Sequence, residues 1–157
     1  MTNLRGGLVL GCLTLALLNA PAQAAPSDAA AADDPRPAFE HFIAAFNALD
    51  WNSFRASFAD DASVFNPDIP EVVSLHRLDG RAEIERVFHA VFAAGSGGPH
   101  IVPQELRIQR FDGTAVITFE FTRGHGAFGR RTVVMTRDNG RWLIVHIHAS
   151  NVARTSN

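Results

Sequence analysis

The sequence predicts an α+β domain in which helices pack on one face of an antiparallel sheet. Three observations lead there. Between Phe39 and Phe92, apolar residues recur at helical spacing. From Ile101 onward they alternate at strand spacing. Asp112-Gly113 and Asn139-Gly140 then divide the alternating half as hairpin turns do.

The first residues stand outside that domain. Arg5 precedes an apolar run over residues 8–18, too short to span a bilayer, and then the small-x-small pattern Ala22-Gln23-Ala24. This layout predicts a signal peptide over residues 1–24, cut after Ala24 or, as the near alternative, after Ala22, and hence a periplasmic or secreted protein. Cys12, the only cysteine, lies inside this segment. A lipid anchor there is disfavoured, because Leu10 is a poor residue two positions before it and the apolar run continues past it. The mature chain then has no cysteine, so packing must hold it without disulfides. Residues 25–36 are rich in Ala, Asp and Pro and read as a disordered lead-in. Residues 37–151 make up the domain and residues 152–157 a tail.

Within the domain, Phe39, Phe42, Ile43, Phe46 and Leu49 mark an amphipathic helix with an aromatic face. Asp50 caps a short second helix that carries Phe54 and Phe58. Residues 62–65 read as a strand ended by Asn66-Pro67-Asp68, and residues 71–78 as a second strand. Asp79-Gly80 turns the chain into a third helix, defined by Ile84, Val87, Phe88, Val91 and Phe92 and stopped by residues 95–99. Four strands follow, over residues 101–111, 115–122, 130–137 and 141–151. Residues 124–129 read as a flexible hairpin end. A strand rather than a helix follows them, so they are not a phosphate cradle.

Composition narrows the chemistry. A chain of 157 residues suits one domain. Without Arg5 the mature chain keeps 13 arginines against 16 acids, and no basic block stands out, so no nucleic-acid partner is expected. There is no lysine and no tyrosine. Schiff-base chemistry and phenol-based acid or oxyanion catalysis are thereby excluded.

The last strand carries the functional argument. Trp142, Ile144, His146, His148 and Ser150 share one parity; Leu143, Val145, Ile147 and Ala149 share the other. One row is wholly apolar. The other ends in two imidazoles and a hydroxyl, able to bind a polar head group or to act as acid and base. His76, His100, Asp61 and Glu120 lack ligand spacing relative to these histidines, so neither a metal nor a cofactor is expected.

Two segments resemble the SnoaL-like and nuclear transport factor 2-like superfamily, over residues 37–151. Phe58-Ala-Asp-Asp-Ala-Ser-Val-Phe-Asn-Pro67, with Leu78-Asp-Gly-Arg-Ala-Glu-Ile84, is similar to the stretch joining its second and third helices. Thr132 to Ser150, with the Gly-Arg-Trp-x-x-Val-His-x-His-x-Ser motif, resembles the C-terminal hairpin of the branch that includes the calcium/calmodulin-dependent protein kinase II association domain. The resemblance implies a cone: a strongly curved antiparallel sheet around three N-terminal helices, with a pocket at the open end. It implies that the His146 row faces the pocket. Trp142, His146, His148, Ser150, Arg130, Asn66 and Trp51 are then the ligand-binding candidates, with Trp142 closing the narrow end and Arg130 favouring an anionic ligand. The ketosteroid isomerase branch places an aspartate base where this chain has Asn66, and uses a tyrosine that this chain lacks; that chemistry is disfavoured.

The expected function is binding of a small apolar or weakly acidic molecule in the cone. One alternative is an enzyme, an isomerase or dehydratase-like lyase, using His146 or His148 for proton transfer or (de)hydration. Another is a non-catalytic dimerisation or assembly module. An outward row of Leu143, Val145 and Ile147 would need cover, and a second copy of the chain is the expected cover. After signal cleavage no membrane partner is expected.

Overall fold

The computed structural model describes residues 33–66, 77–95, 100–123 and 127–152. The signal-peptide segment, residues 25–32 of the lead-in, Pro67-Asp68, His76 and the rest of residues 71–76, His125 and the tail beyond Val152 lie outside the described residues. Among the described residues, three helices and six strands follow in order: α1 (Arg36–Ala48), α2 (Trp51–Arg55), β1 (Phe58–Phe65), β2 (Leu78–Asp79), α3 (Arg81–Ala93), β3 (Gln104–Phe111), β4 (Thr114–Thr122), β5 (Phe128–Asp138) and β6 (Arg141–Val152).

α1 begins with Pro37 in its first turn, where the missing N–H costs nothing. It buries Phe39, Phe42, Ile43 and Ala45 on one face. Leu49 ends it in a left-handed conformation at φ 55°. The Asp50 carboxylate then caps α2, accepting from the Ser53 hydroxyl at 2.6 Å and the Ser53 amide at 3.2 Å. Those two hydrogen bonds hold the Asp50 carboxyl below its ordinary range. α3 starts after Gly80, at φ 83°, with the Glu83 carboxylate accepting the Asp79 amide at 2.9 Å.

The sheet is curved and unclosed, in the order β2-β1-β6-β5-β4-β3. All neighbours are antiparallel except β1 and β6, which run parallel. One face meets the helices. Ala115, Ile117, Phe119 and Phe121 of β4 and Val133 and Met135 of β5 point into it and are buried. The ring of Phe54 sits among those of Phe42, Phe46, Trp51, Phe58, Phe88 and Phe92, with centroids 4.8–6.2 Å away. A contiguous aromatic core thus fills the space between α1, α2, α3 and the sheet.

Four details differ from the sequence reading. Phe58 opens β1 instead of continuing α2, yet its ring still meets Phe54 at 5.2 Å. The fold reaches upstream of Pro37: Pro35 is buried, and the Asp33 carboxylate lies 3.1 Å from Arg137. Gly129 belongs to β5 and is buried against Phe121, where a Cβ would lie 2.3 Å from the ring. The fourth is in β6. Val134 pairs with His146 but Met135 pairs with Ile144, which leaves Val145 as a bulge. A bulge adds one residue and switches which parity faces the core. Trp142 and Ile144 point to the helices before it; Ile147 and Ala149 do so after it. His146, His148 and Ser150 therefore lie on the opposite, outer face, not on the core side with Trp142. Ile147 is buried and unavailable to a partner, while Leu143 and Val145 stay partly exposed.

Candidate functional site

The outer face of β1, β6 and β5 gathers most of the chemistry. Ser63 pairs with His146 across β1 and β6, and Phe65 pairs with His148. The Ser63 Oγ lies 2.9 Å from His146 Nδ1. Two tautomers satisfy that contact. The hydroxyl donates to Nδ1 and leaves Nε2–H as a donor, or Nδ1–H donates and leaves Nε2 as an acceptor. The Phe65 ring lies 6.0 Å from the His146 ring and 5.7 Å from the His148 ring, and it is 37% exposed. Burial, then the charges of His148 and Arg77, push the His146 pKa down from 6.5. The lowered pKa keeps the imidazole mainly neutral near pH 7, and Arg77 is itself held by the Asp79 carboxylate, the register partner of Ser63.

Ser150 and Arg130 extend the same face, as register partners across β6 and β5. The Arg130 guanidinium donates to the Glu120 carboxylate at 2.9 Å. Its neighbour Arg131 points to the core side instead, over the Phe121 ring at 4.8 Å, and donates to the Ser150 carbonyl at 3.1 Å. Past the bulge, the outer face continues into a cleft of about 540 Å³ lined by Phe58, Asp61, Arg81, Thr136, Leu143 and Val145.

The candidates thus divide. His146, His148, Ser150 and Arg130 come together on the outer face, and Asn66 directly follows Phe65 at the end of β1. Trp51 and Trp142 do not join them. Trp51 packs its ring on Phe54, His89 and Phe92. Trp142 is buried on the core side, and its Nε1–H has no hydrogen-bond partner among the described residues. Sequence reading missed Ser63, Phe65 and Arg77. The signal was the alternation Ala62, Ser63, Val64, Phe65, which puts Ser63 and Phe65 on one face. What was not readable was that β1 lies beside β6. Among the described residues, no group of three or more His, Cys, Asp or Glu side chains could hold a metal ion. None of their helices is long and apolar enough to cross a membrane.

A family model described as a SnoaL-like domain matches residues 36–154. The chain belongs to the SnoaL-like domain family. Among solved structures, this SnoaL-like domain is similar to an NTF2-like protein of unknown function from Pseudomonas putida KT2440 (21% identity, 78% of this chain and 87% of that one, TM-score 0.61). It is also similar to a candidate ketosteroid isomerase from Shewanella frigidimarina NCIMB 400 (19% identity, 76% and 97%, TM-score 0.61). A third is a candidate dehydratase of the NTF2-like family from Streptomyces avermitilis (17% identity, 76% and 94%, TM-score 0.59). At these identities the likeness shows the fold alone. No curated protein matches the sequence. The likeness therefore reaches the SnoaL-like and NTF2-like superfamily and goes no further into its branches.

Proposed function

We propose that this SnoaL-like domain binds a small apolar or weakly acidic molecule, with His146 and His148 meeting its polar end. One observation carries the reading: the Ser63–His146 pair stands beside His148 and the exposed ring of Phe65 on a single face, while Asp79, the register partner of Ser63, holds Arg77 in an ion pair. A weakly acidic or polar head would take hydrogen bonds from the imidazoles, while Phe65 offers an apolar surface. The ligand class is the one expected from the sequence. The site moves from the core side to the outer face, because the bulge at Val145 turns both histidines there and aromatic rings fill the core side.

The test has two arms. Mass spectrometry identifies small molecules that co-purify with the native protein, and NMR follows the imidazole protons of His146 and His148 during a titration with benzoate. Expected are a co-purifying acid, a saturable shift of both histidines, and at least a tenfold loss of affinity in His146→Ala. The reading fails if wild type and His146→Ala carry the same molecules, or if benzoate and hexanoate leave both imidazoles unshifted.

A second reading is favoured by the 2.9 Å Ser63–His146 contact: His146 as acid or base in proton transfer or (de)hydration, with His148 beside it. The candidate isomerase and dehydratase among the similar structures keep that class in view. A variant that keeps the ligand but loses turnover separates the two readings. We further propose an exported protein that dimerises on the outer face around Leu143 and Val145. Its support is the signal-like segment of residues 1–24 and the half-exposed apolar pair on β6. The motif of residues 140–150 likewise supports placement near the kinase association-domain branch, as a non-catalytic assembly module. N-terminal sequencing of the exported chain checks the first proposal, and a monomer in sedimentation equilibrium at micromolar concentration sinks the dimer.

A further inference from the structure

Ligand binding on the outer face makes no use of the Ser63 hydroxyl as a nucleophile. Its Oγ lies 2.9 Å from His146 Nδ1, within reach of a direct proton transfer. The backbone holds the two residues there, as register partners on the parallel strands β1 and β6. Both are half-buried on the outer face, where a small molecule can approach from solvent. Burial, then the charges of His148 and Arg77, lower the imidazole pKa and favour the neutral form, which can accept a proton. We propose that Ser63 and His146 form a nucleophile–base pair that hydrolyses small aryl esters through an acyl group carried on Ser63.

In the first step Oγ attacks the ester carbonyl and its proton passes to Nδ1. The bond from the carbonyl carbon to the aryl oxygen breaks, the leaving phenolate takes the proton from the imidazolium, and the acyl group stays on Oγ. Water then attacks that ester with His146 again as base. The carboxylic acid leaves and Oγ recovers its proton, so water is the only co-reactant. The surroundings select the substrate. Asp79, the register partner of Ser63 on β2, holds Arg77 through contacts of 2.5 and 3.2 Å. That side of Ser63 therefore presents a paired charge, which suits a neutral ester better than a phosphate. β1 is paired on both sides, so the strand amides beside Ser63 serve the sheet rather than a developing oxyanion. Without such donors a good leaving group is required, which points to phenols rather than alkyl alcohols or amines. The Phe65 ring, 6.0 Å from the His146 ring and 5.7 Å from that of His148, offers the aryl group a face. The proposal rests on the binding reading for that placement, and the acid released belongs to the ligand class of that reading.

The experiment uses the full mature chain and para-nitrophenyl benzoate. Absorbance follows release of the nitrophenolate, and peptide mass spectrometry after an acid quench locates the benzoyl group. The serine ester has an alkyl leaving group, so it breaks down more slowly than it forms and accumulates. Expected is a benzoyl ester on Ser63. Nitrophenolate release should fall about a hundredfold in Ser63→Ala and in His146→Gln, whose amide can still accept from Oγ but cannot take its proton. Ser63→Cys, close in size to the parent, should take the benzoyl group as a thioester, which guards against a folding defect in Ser63→Ala. Release by Ser63→Ala equal to that of the parent overturns the proposal, because an imidazole alone is then the nucleophile. So does a quenched parent chain without benzoyl on Ser63, or a Ser63→Cys chain left unmodified. An unmodified Ser63 in a protein whose imidazoles still shift with benzoate sinks the hydrolysis and keeps the binding reading. A benzoylated Ser63 with imidazoles unmoved by benzoate does the reverse.

Discussion

Gly129→Ala separates two accounts of residues 124–129. As a flexible hairpin end, Gly129 would accept alanine with a gain of about 0.4–1 kcal/mol from the stiffer unfolded chain. In the structure the new Cβ would stand 2.3 Å from the Cε1 and Cζ atoms of Phe121. That ring has nowhere to go: it is fully buried, it lies 6.4 Å from Phe119, and Arg131 covers it. Overpacking of this kind costs about 1–3 kcal/mol, so the net expectation is a loss of about 1–2 kcal/mol. For a domain of this size that is a fall of roughly 4–8 °C in melting temperature. Phe121→Leu removes both clashing atoms. In that background Gly129→Ala should become neutral or mildly stabilising, giving a coupling energy of about 1–3 kcal/mol in a double-mutant cycle. Urea denaturation of the four proteins measures it. A Gly129→Ala protein as stable as the parent, or strict additivity with Phe121→Leu, refutes the close packing of β5 on Phe121.

Three further expectations follow from the same geometry. Phe54→Ala empties the centre of the aromatic cluster and should cost about 3–5 kcal/mol; a loss below about 1 kcal/mol by urea denaturation would contradict its central place. His146 has a folded pKa below 6.5, so the unfolded chain binds its proton more readily; the stability held by the neutral imidazole is complete above pH 6.5 and is lost as the pH falls below it, levelling off under the folded pKa. His146→Gln should flatten that stretch of the stability–pH curve, and a slope equal to wild type would remove the burial argument. Asp50→Ala should lower the melting temperature while Asp50→Asn retains it, because asparagine can still accept from Ser53; three equal melting temperatures would deny the cap a role.

The helices were legible because their buried faces follow one period without interruption. Phe39, Phe42, Ile43 and Ala45 on α1 and Ile84, Val87, Phe88 and Phe92 on α3 are buried as their spacing requires. β4 was legible for the same reason at period two. The start of β1 was not. Phe54 and Phe58 stand four apart and both reach the core, which a helix and a helix-turn-strand satisfy equally. Nor can Gly129 be read from its own neighbourhood: the need for hydrogen in place of a side chain is set by Phe121, on the neighbouring strand. The candidate site was half legible. His146 and His148 are visible in any reading of β6, whereas their partners Ser63 and Phe65 depend on the parallel pairing of β1 with β6, a contact between distant parts of the chain.

The bulge at Val145 could nonetheless have been argued for from residue types. Strict alternation offers two arrangements of β6. One buries Trp142 and Ile144 but takes His146, His148 and Ser150 into an apolar core, where imidazoles and a hydroxyl need partners that phenylalanine rings cannot supply. The other buries Ile147 and Ala149 but leaves Trp142 and Ile144 in water. A single inserted residue removes the conflict: Trp142, Ile144, Ile147 and Ala149 all reach the core, and the three polar residues all leave it. The same insertion bends the strand, which a curved sheet wrapped on helices requires. The placement of the two histidines on the outer face is thus a consequence of core packing. The side on which both imidazoles emerge is therefore set at Val145, the residue that the pairing of β5 with β6 leaves out.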